Sequence, residues 1–186
     1  FGAPTAPIND PVSSNNSASS FIYVPPMVTN LPLTQLSLPS RPILAWDSSR
    51  QELLAAFPQD SWNFFVLDPV TLAPVRSIQM PSLPEHIAPC NNGRHAWVSL
   101  AGKGAVRVDL STMTIDSQFD YTTNQSSIYA VAAQRGQSNV LVVAINPDFM
   151  GPFQTRAYVN GVALPAVHPY LPQTVLFAPD GRLFVS

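Results

Sequence analysis

The feature that most limits what this chain can become is a repeat of about 44 residues. The stretch Ala88-Pro89-Cys90-Asn91-Asn92-Gly93-Arg94-His95-Ala96-Trp97-Val98-Ser99 recurs as Ala178-Pro179-Asp180-Gly181-Arg182-Leu183-Phe184-Val185-Ser186. Gly93 and Gly181 stand 88 positions apart, two periods. A looser copy lies midway, where Ala133-Gln134-Arg135-Gly136 leads into the apolar run Val140 to Ile145. Ala45-Trp46-Asp47-Ser48-Ser49-Arg50, followed by Leu53 to Phe57, makes a fourth. The alanines that open the copies, at 45, 88, 133 and 178, step by 43, 45 and 45. A period of this size, with several short strands and small turn residues per unit, is that of a propeller blade and not of a helical array. The expected fold is therefore all-β, a β-propeller of four-stranded antiparallel blades.

The units can be laid out from their turn chemistry. The first complete one is expected to have strands near 42–46, 52–57, 63–68 and 74–80, and the next near 85–89, 95–100, 104–109 and 114–121. Val66-Leu67-Asp68-Pro69-Val70-Thr71 precedes Arg107-Val108-Asp109-Leu110-Ser111-Thr112 by 41 residues, and each aspartate suits a tight turn closed through its side-chain oxygen. Gly102-Lys103-Gly104 fits a hairpin, and Asn160-Gly161 is a type I′ hairpin signal between Tyr158-Val159 and Val162-Ala163. A third unit then has strands near 128–133, 139–145, 155–159 and 162–167, and a fourth begins near 173–178 and 182–186. Phe21 to Leu38 reads as the third and fourth strands of an earlier blade, which gives about three full blades and two half blades. Ser49-Arg50-Gln51-Glu52 matches a helix capping box ahead of helix-forming Leu53-Leu54-Ala55-Ala56. The repeat overrides that local signal and predicts a strand. The alanines at 45, 88, 133 and 178 are expected at equivalent inner-strand sites, where a small side chain lets blades approach.

Residues 1–20 form a linker by composition, with Pro4, Pro7 and Pro11 ahead of a Ser/Asn run from Ser13 to Ser20. The propeller is expected to occupy 21–186. Of the 186 residues, 46% are hydrophobic, enough for a core, while only 11% are charged. A net charge of −2 and a sole lysine, Lys103, give no electrostatic footprint for nucleic acid. No apolar run approaches the ~20 residues of a membrane-spanning helix. Cys90 has no cysteine to pair with and is expected to be an ordinary turn residue. The chain opens on Phe1 without a signal peptide, as expected of one that was processed or cut from a longer protein.

The segment Ala178-Pro179-Asp180-Gly181-Arg182-Leu183-Phe184-Val185-Ser186 resembles the repeats of the YVTN and lactonase-like β-propeller superfamily. Val108-Asp109-Leu110-Ser111-Thr112 and Leu67-Asp68-Pro69-Val70-Thr71 look like another segment of the same repeats. The resemblance covers roughly residues 21–186 and implies the fold more than an activity, because the motif residues serve turns and packing. The third unit departs from it, lacking the Asp-turn-Thr segment and carrying a longer loop at Asn146-Pro147-Asp148-Phe149-Met150-Gly151-Pro152. Members usually close with seven blades, so the chain is expected to be a segment of such a ring. The alternative is a four-bladed ring sealed by its two half blades.

Inner strands line a propeller's channel, and two ionisable residues stand out there. In the alanine register, His86 matches Ile43, Val131 and Leu176, while Glu85 matches Pro42, Ala130 and Val175. Both replace apolar residues, and an unpaired buried Glu85 would be costly without a compensating role. Adjacent strand residues point to opposite faces, so a shared site needs a twist or bulge. Glu85 and His86 are the predicted ligand-contact residues, against the plainer reading of His86 as a packed histidine. His95 and His168 are expected to be solvated, and three histidines without paired spacing do not make a zinc site. Asp148 and Asp180 lie in turns lacking a calcium-loop pattern. No phosphate loop or nucleophile elbow occurs, and no cofactor is implied. Trp46, Trp62 and Trp97 are expected to pack in blade cores. Asn15-Asn16-Ser17 and Asn124-Gln125-Ser126 are glycosylation-type tripeptides.

These features point to a secreted or cell-envelope propeller, extracellular or periplasmic, that acts as a binding or structural module toward a protein or small-molecule partner. The family resemblance also allows a lactone-type hydrolase with its site in the channel, so the sequence leaves open whether the chain is an enzyme.

Overall fold

The structure is a computed structural model, and it describes residues 42–58, 62–120, 127–146, 154–168, 175–178 and 180–185. The predicted linker and the predicted strands of 21–38 lie outside the described residues. Every regular element among the described residues is a strand. Strands β1 (Ile43–Asp47), β2 (Glu52–Phe57), β3 (Asn63–Leu67) and β4 (Pro74–Gln79) form one antiparallel sheet in the order β1-β2-β3-β4, here blade 1. Strands β5 (Pro84–Pro89), β6 (His95–Leu100), β7 (Gly104–Asp109) and β8 (Thr114–Phe119) repeat the meander as blade 2. Blade 3 consists of β9 (Ser127–Ala133), β10 (Val140–Asn146), β11 (Gln154–Val159) and β12 (Val162–His168). The hairpin β13 (Val175–Phe177) and β14 (Leu183–Val185) starts a further unit. The sheets are separate, and their first strands adjoin in chain order, β1 beside β5, β5 beside β9 and β9 beside β13, so the described residues form an arc.

The turns follow the chemistry read from the sequence. Asp68 Oδ1 accepts from the N–H groups of Val70 and Thr71, and Asp109 Oδ1 accepts from those of Ser111 and Thr112. Each turn ends in a left-handed residue, Leu72 or Met113, 41 positions apart. Asn160 and Gly161 both have positive φ, as a type I′ hairpin requires. The run that follows the capping-box match, Leu53 to Ala56, is strand, as the repeat predicts. Leu54, Ala55 and Ala56 are wholly buried between β1 and β3, and a helix there would leave both neighbours without partners.

Alternate residues of each blade face its two neighbours, and three apolar seams result. Leu54, Phe64 and Val66 of blade 1 meet Val98, Val106 and Val108 of blade 2. Trp97, Ala105 and Phe119 on the other face of blade 2 meet Leu141, Val143 and Tyr158 of blade 3, with Phe119 stacked on Tyr158 at 4.5 Å. The third seam is thinner, with Ala130, Ala132, Val142 and Ala144 set against Val175 and Phe177.

The alanine register holds for blades 1 and 2 only. Ala45 lies opposite Leu54 and Ala88 opposite Trp97, each on the face toward the next blade. Ala133 lies opposite Leu141 and faces back toward blade 2, so Ala132 is the equivalent residue. The cause is turn length. Four residues separate Cys90 from His95, whose N–H···O bond closes the β5–β6 turn, whereas five separate Gln134 from Val140. Three separate Ala178 from Arg182, which aligns Ala178 with Cys90 and leaves Leu176 at the alanine position.

Candidate functional site at the inner strands

Glu85 sits on a β-bulge. Pro84 pairs with Leu100 and His86 with Ser99, so two residues of β5 oppose one of β6. That bulge supplies what alternation forbids, because the neighbours Glu85 and His86 both reach the backbone of one residue, Ile128, across the seam. His86 Nε2 lies 3.0 Å from the Ile128 carbonyl oxygen, and a carbonyl only accepts, so the imidazole donates from Nε2. The Ile128 N–H in turn donates to the Glu85 carboxylate. Burial pushes the Glu85 carboxyl above its ordinary value, opposed by that N–H. Burial likewise pushes the His86 imidazole down, opposed by its bond to the Ile128 carbonyl. Both groups are thereby biased toward their neutral forms. The second carboxyl oxygen of Glu85, Oε2, is buried and has no hydrogen-bond partner among the described residues.

The same device recurs one blade on. Ala130 pairs with Ala144 and Ile128 with Ile145, which leaves Tyr129 as the bulged residue of β9. Tyr129 is 45% exposed. The equivalent of Glu85 is therefore Tyr129, not the Ala130 that the alanine register gave. Beyond the bulges, a groove of about 200 Å³ crosses β5, β9 and β13, lined by Ile87, Ala88, Val131, Ala132, Leu176 and Phe177 among others. It begins about 7 Å along β5 from Glu85, two residues at a rise of ~3.3 Å each. Glu85 and Tyr129 do not line it; each lies two residues along its strand from a lining residue, Ile87 or Val131.

A second polar cluster lies at the other end of blade 2. The ligand-type atoms of His95, Asp109 and Asp116 fall within 4.8 Å of one another. Their donors and acceptors are already used. Asp116 is the bulged residue of β8 and accepts from Arg107 at 2.7 Å and from His95 Nε2 at 3.1 Å. Asp109 Oδ2 accepts from Arg94 at 2.8 Å, and its Oδ1 serves the turn. Arg107 and the Trp97 indole N–H both donate to the Ser138 carbonyl of blade 3. The arrangement ties blade 2 internally and to blade 3, and it offers an ion no uncommitted carboxylate oxygen. His95, expected to be solvated, is instead buried here, because β6 is covered on both faces.

The other candidates scatter. Trp97 is core, as expected, but Trp46 and Trp62 are about half exposed and are not packed in a blade interior. Asp180 is exposed and paired with Arg182 at 2.7 Å. Asp148 and the His168 side chain lie outside the described residues. Tyr129 and Ser99, the residue opposite His86, were not singled out by sequence. A bulge depends on the partner strand, and the only local hint was a tyrosine within the otherwise aliphatic run Ile128 to Ala133.

Two solved structures fix the architecture. The β-propeller domain of Cps50 (Swd1) from Myceliophteria thermophila superposes with a TM-score of 0.57 at 12% identity, over 74% of this chain and 40% of its own. The hydrazine synthase of Kuenenia stuttgartiensis gives a TM-score of 0.63 at 15% identity, over 82% of this chain and 43% of its own. The chain is an arc of a β-propeller. It spans less than half the length of either structure. No protein-family model matches the sequence, and no curated protein matches it either. Among the described residues no helix is long and apolar enough to cross a membrane.

Proposed function

We propose that this arc of propeller is a binding module, and that its contact site is the inner-strand groove with Glu85 and Tyr129 near it. The observation that carries the reading is the pair of equivalent bulges on β5 and β9, which set Glu85 and Tyr129 outside the regular ladders, two residues along their strands from an apolar groove. Bulges of this kind commonly re-aim side chains next to functional sites. The groove's volume of about 200 Å³ falls below the ~300–1,000 Å³ of sites that engulf a small molecule. It suits one apolar side chain of a protein partner, with the half-exposed Tyr129 beside it.

Membership of the YVTN and lactonase-like superfamily belongs to the same proposal and rests on the turn segments at 67–71, 108–112 and 178–186. So does a place outside the cytoplasm, supported by the low charge and the Ser/Asn-rich segment; protease accessibility of the protein on intact cells tests it. The binding reading is tested by selecting short random peptides on the immobilised chain and repeating the measurement with Glu85→Ala, Tyr129→Ala and Leu176→Asp. Each substitution should weaken the selected peptides at least tenfold, with the melting temperature unchanged for Tyr129→Ala and Leu176→Asp. Equal binding by all three variants would remove the groove as the site. Turnover of a lactone panel that disappears in Glu85→Gln would move the assignment to the hydrolase.

A further inference from the structure

Two end faces of the arc carry the seam pattern without a seam. On each first strand, the residues flanking the seam alanine, or Leu176 in its place, point back toward the preceding blade. Ile87 packs that way in the first seam, Val131 and Ala133 in the second, and Val175 and Phe177 in the third. Their equivalents on β1 are Leu44 and Trp46, which are 52% and 49% exposed. The hairpin repeats this on its other face. Toward the next blade, Ala45 pairs with Leu54, Ala88 with Trp97 and Ala132 with Val142, and all three partners are buried. The hairpin equivalents, Leu176 and Phe184, pair across β13 and β14 but are 46% and 50% exposed.

One chain therefore presents both halves of a seam, at opposite ends of an arc. All four side chains are large and uncharged, and exposed apolar groups gathered on a face mark an interaction surface. The arc spans less than half of either propeller structure it matches, too little to bring its own ends together. We propose that the two faces meet between copies: the β13–β14 hairpin of one copy seats on β1 of a second, and the reverse contact closes a ring of two chains. The contact continues the seams already described, in which β1 lies beside β5, β5 beside β9 and β9 beside β13. Leu176 and Phe184 enter it as Ala88 and Trp97 enter the second seam, and Leu44 and Trp46 take the places of Val131 and Ala133. Such a contact is head-to-tail, and head-to-tail contacts form rings when their rotation closes. Each chain supplies three blades and a hairpin that starts a fourth. Two copies therefore supply about eight blade positions, the upper end of the ~4–8 found in propellers. The proposal is independent of the groove, which neither Trp46 nor Phe184 lines.

Sedimentation equilibrium of the chain should show a monomer–dimer equilibrium at micromolar concentration. Trp46→Asp and Phe184→Asp each spoil one half of both contacts, so each variant alone should be monomeric while keeping the far-ultraviolet spectrum of the wild type. Mixed together they should form a heterodimer, because the Phe184→Asp copy keeps an intact β1 and the Trp46→Asp copy an intact hairpin. Leu44→Asp and Leu176→Asp make a second pair that should behave alike. Hydrogen exchange gives a readout on the wild type. Protection of 183–185 should rise with chain concentration, because in the dissociated chain the hairpin has, among the described residues, the third seam alone. A monomeric wild type, a polymer longer than two chains, loss of the dimer in only one of the two variants, or no heterodimer in the mixture would overturn the proposal.

Discussion

Asp109 and Asp68 show how the same turn acquires different weight from its surroundings. Both aspartates close their turns through Oδ1, but Asp109 is buried and its Oδ2 also holds Arg94. The Arg94 bond, helped by the N–H groups of Ser111 and Thr112 and opposed by burial, lowers the Asp109 carboxyl to about 2. A carboxyl lowered in the folded state adds stability above its unfolded pKa of about 3.9 and loses it as pH falls toward the folded value. Thermal unfolding of the wild type should therefore weaken between roughly pH 4 and pH 2 by a component absent from Asp109→Asn. At neutral pH that variant should be less stable by about 1–3 kcal/mol, the typical loss of a buried charge-assisted bond. Cys90 gives a second expectation. Its thiol is buried in the seam between blades 2 and 3, and burial, helped by Asp47 and Asp116 and opposed by Arg107, pushes it up to about 12. It should resist a thiol reagent at pH 8 in the native protein and react at once in denaturant, and rapid labelling of the folded chain would contradict this. The sequence made these turn positions legible because an Asx turn is local. It flagged Glu85 and His86 as misplaced charges, yet missed Tyr129 and Asp116, whose roles depend on bulges that only the partner strand defines.

At the scale of the element, strand boundaries were readable to within a residue or two because turn residues bracket each strand. The register between blades was less so. An extra residue in the β9–β10 turn moves Ala133 to the face opposite the one its sequence match predicts, and alanine at both positions conceals the slip. The turns also differ in tolerance. Gly104, at φ +96°, begins β7, and a Cβ there would overlap the Phe119 carbonyl oxygen, a backbone atom that cannot swing aside. Gly161, at φ +77°, would place a Cβ 3.6 Å from the Phe119 Cβ, an ordinary contact. Gly161→Ala should lose only the left-handed conformational term, about 1–2 kcal/mol. Gly104→Ala adds the overlap and should cost about 3 kcal/mol or more, a fall in melting temperature of roughly 6–12 °C for a chain of this size. Equal melting temperatures for the two variants would mean that the β7–β8 edge can move.

Across the whole molecule, stability should be graded along the arc. Each blade contacts only its neighbours, so each part's resistance to opening depends on the seams that flank it. Blade 2 lies between the two larger clusters, and all six positions of β6 are buried. Its ends are further tied by Arg50 to the Gly93 carbonyl, Arg76 to the Leu110 carbonyl, and Trp97 and Arg107 to the Ser138 carbonyl. Among the described residues, the hairpin β13–β14 has the alanine-rich third seam alone, and all three residues of β14 are exposed. Alanine buries less apolar surface than the valine, leucine and aromatic residues of the other seams, and the hydrophobic contribution scales with that area at about 25 cal/mol per Å². Hydrogen exchange followed by mass spectrometry on the full chain should therefore show amides of 183–185 exchanging first and those of 95–100 and 104–109 last. The retention of blade 2 should approach the global unfolding limit, while the hairpin opens without unfolding the rest. Equal protection of 183–185 and 95–100 would contradict this gradient and imply that a contact beyond the third seam clamps the hairpin.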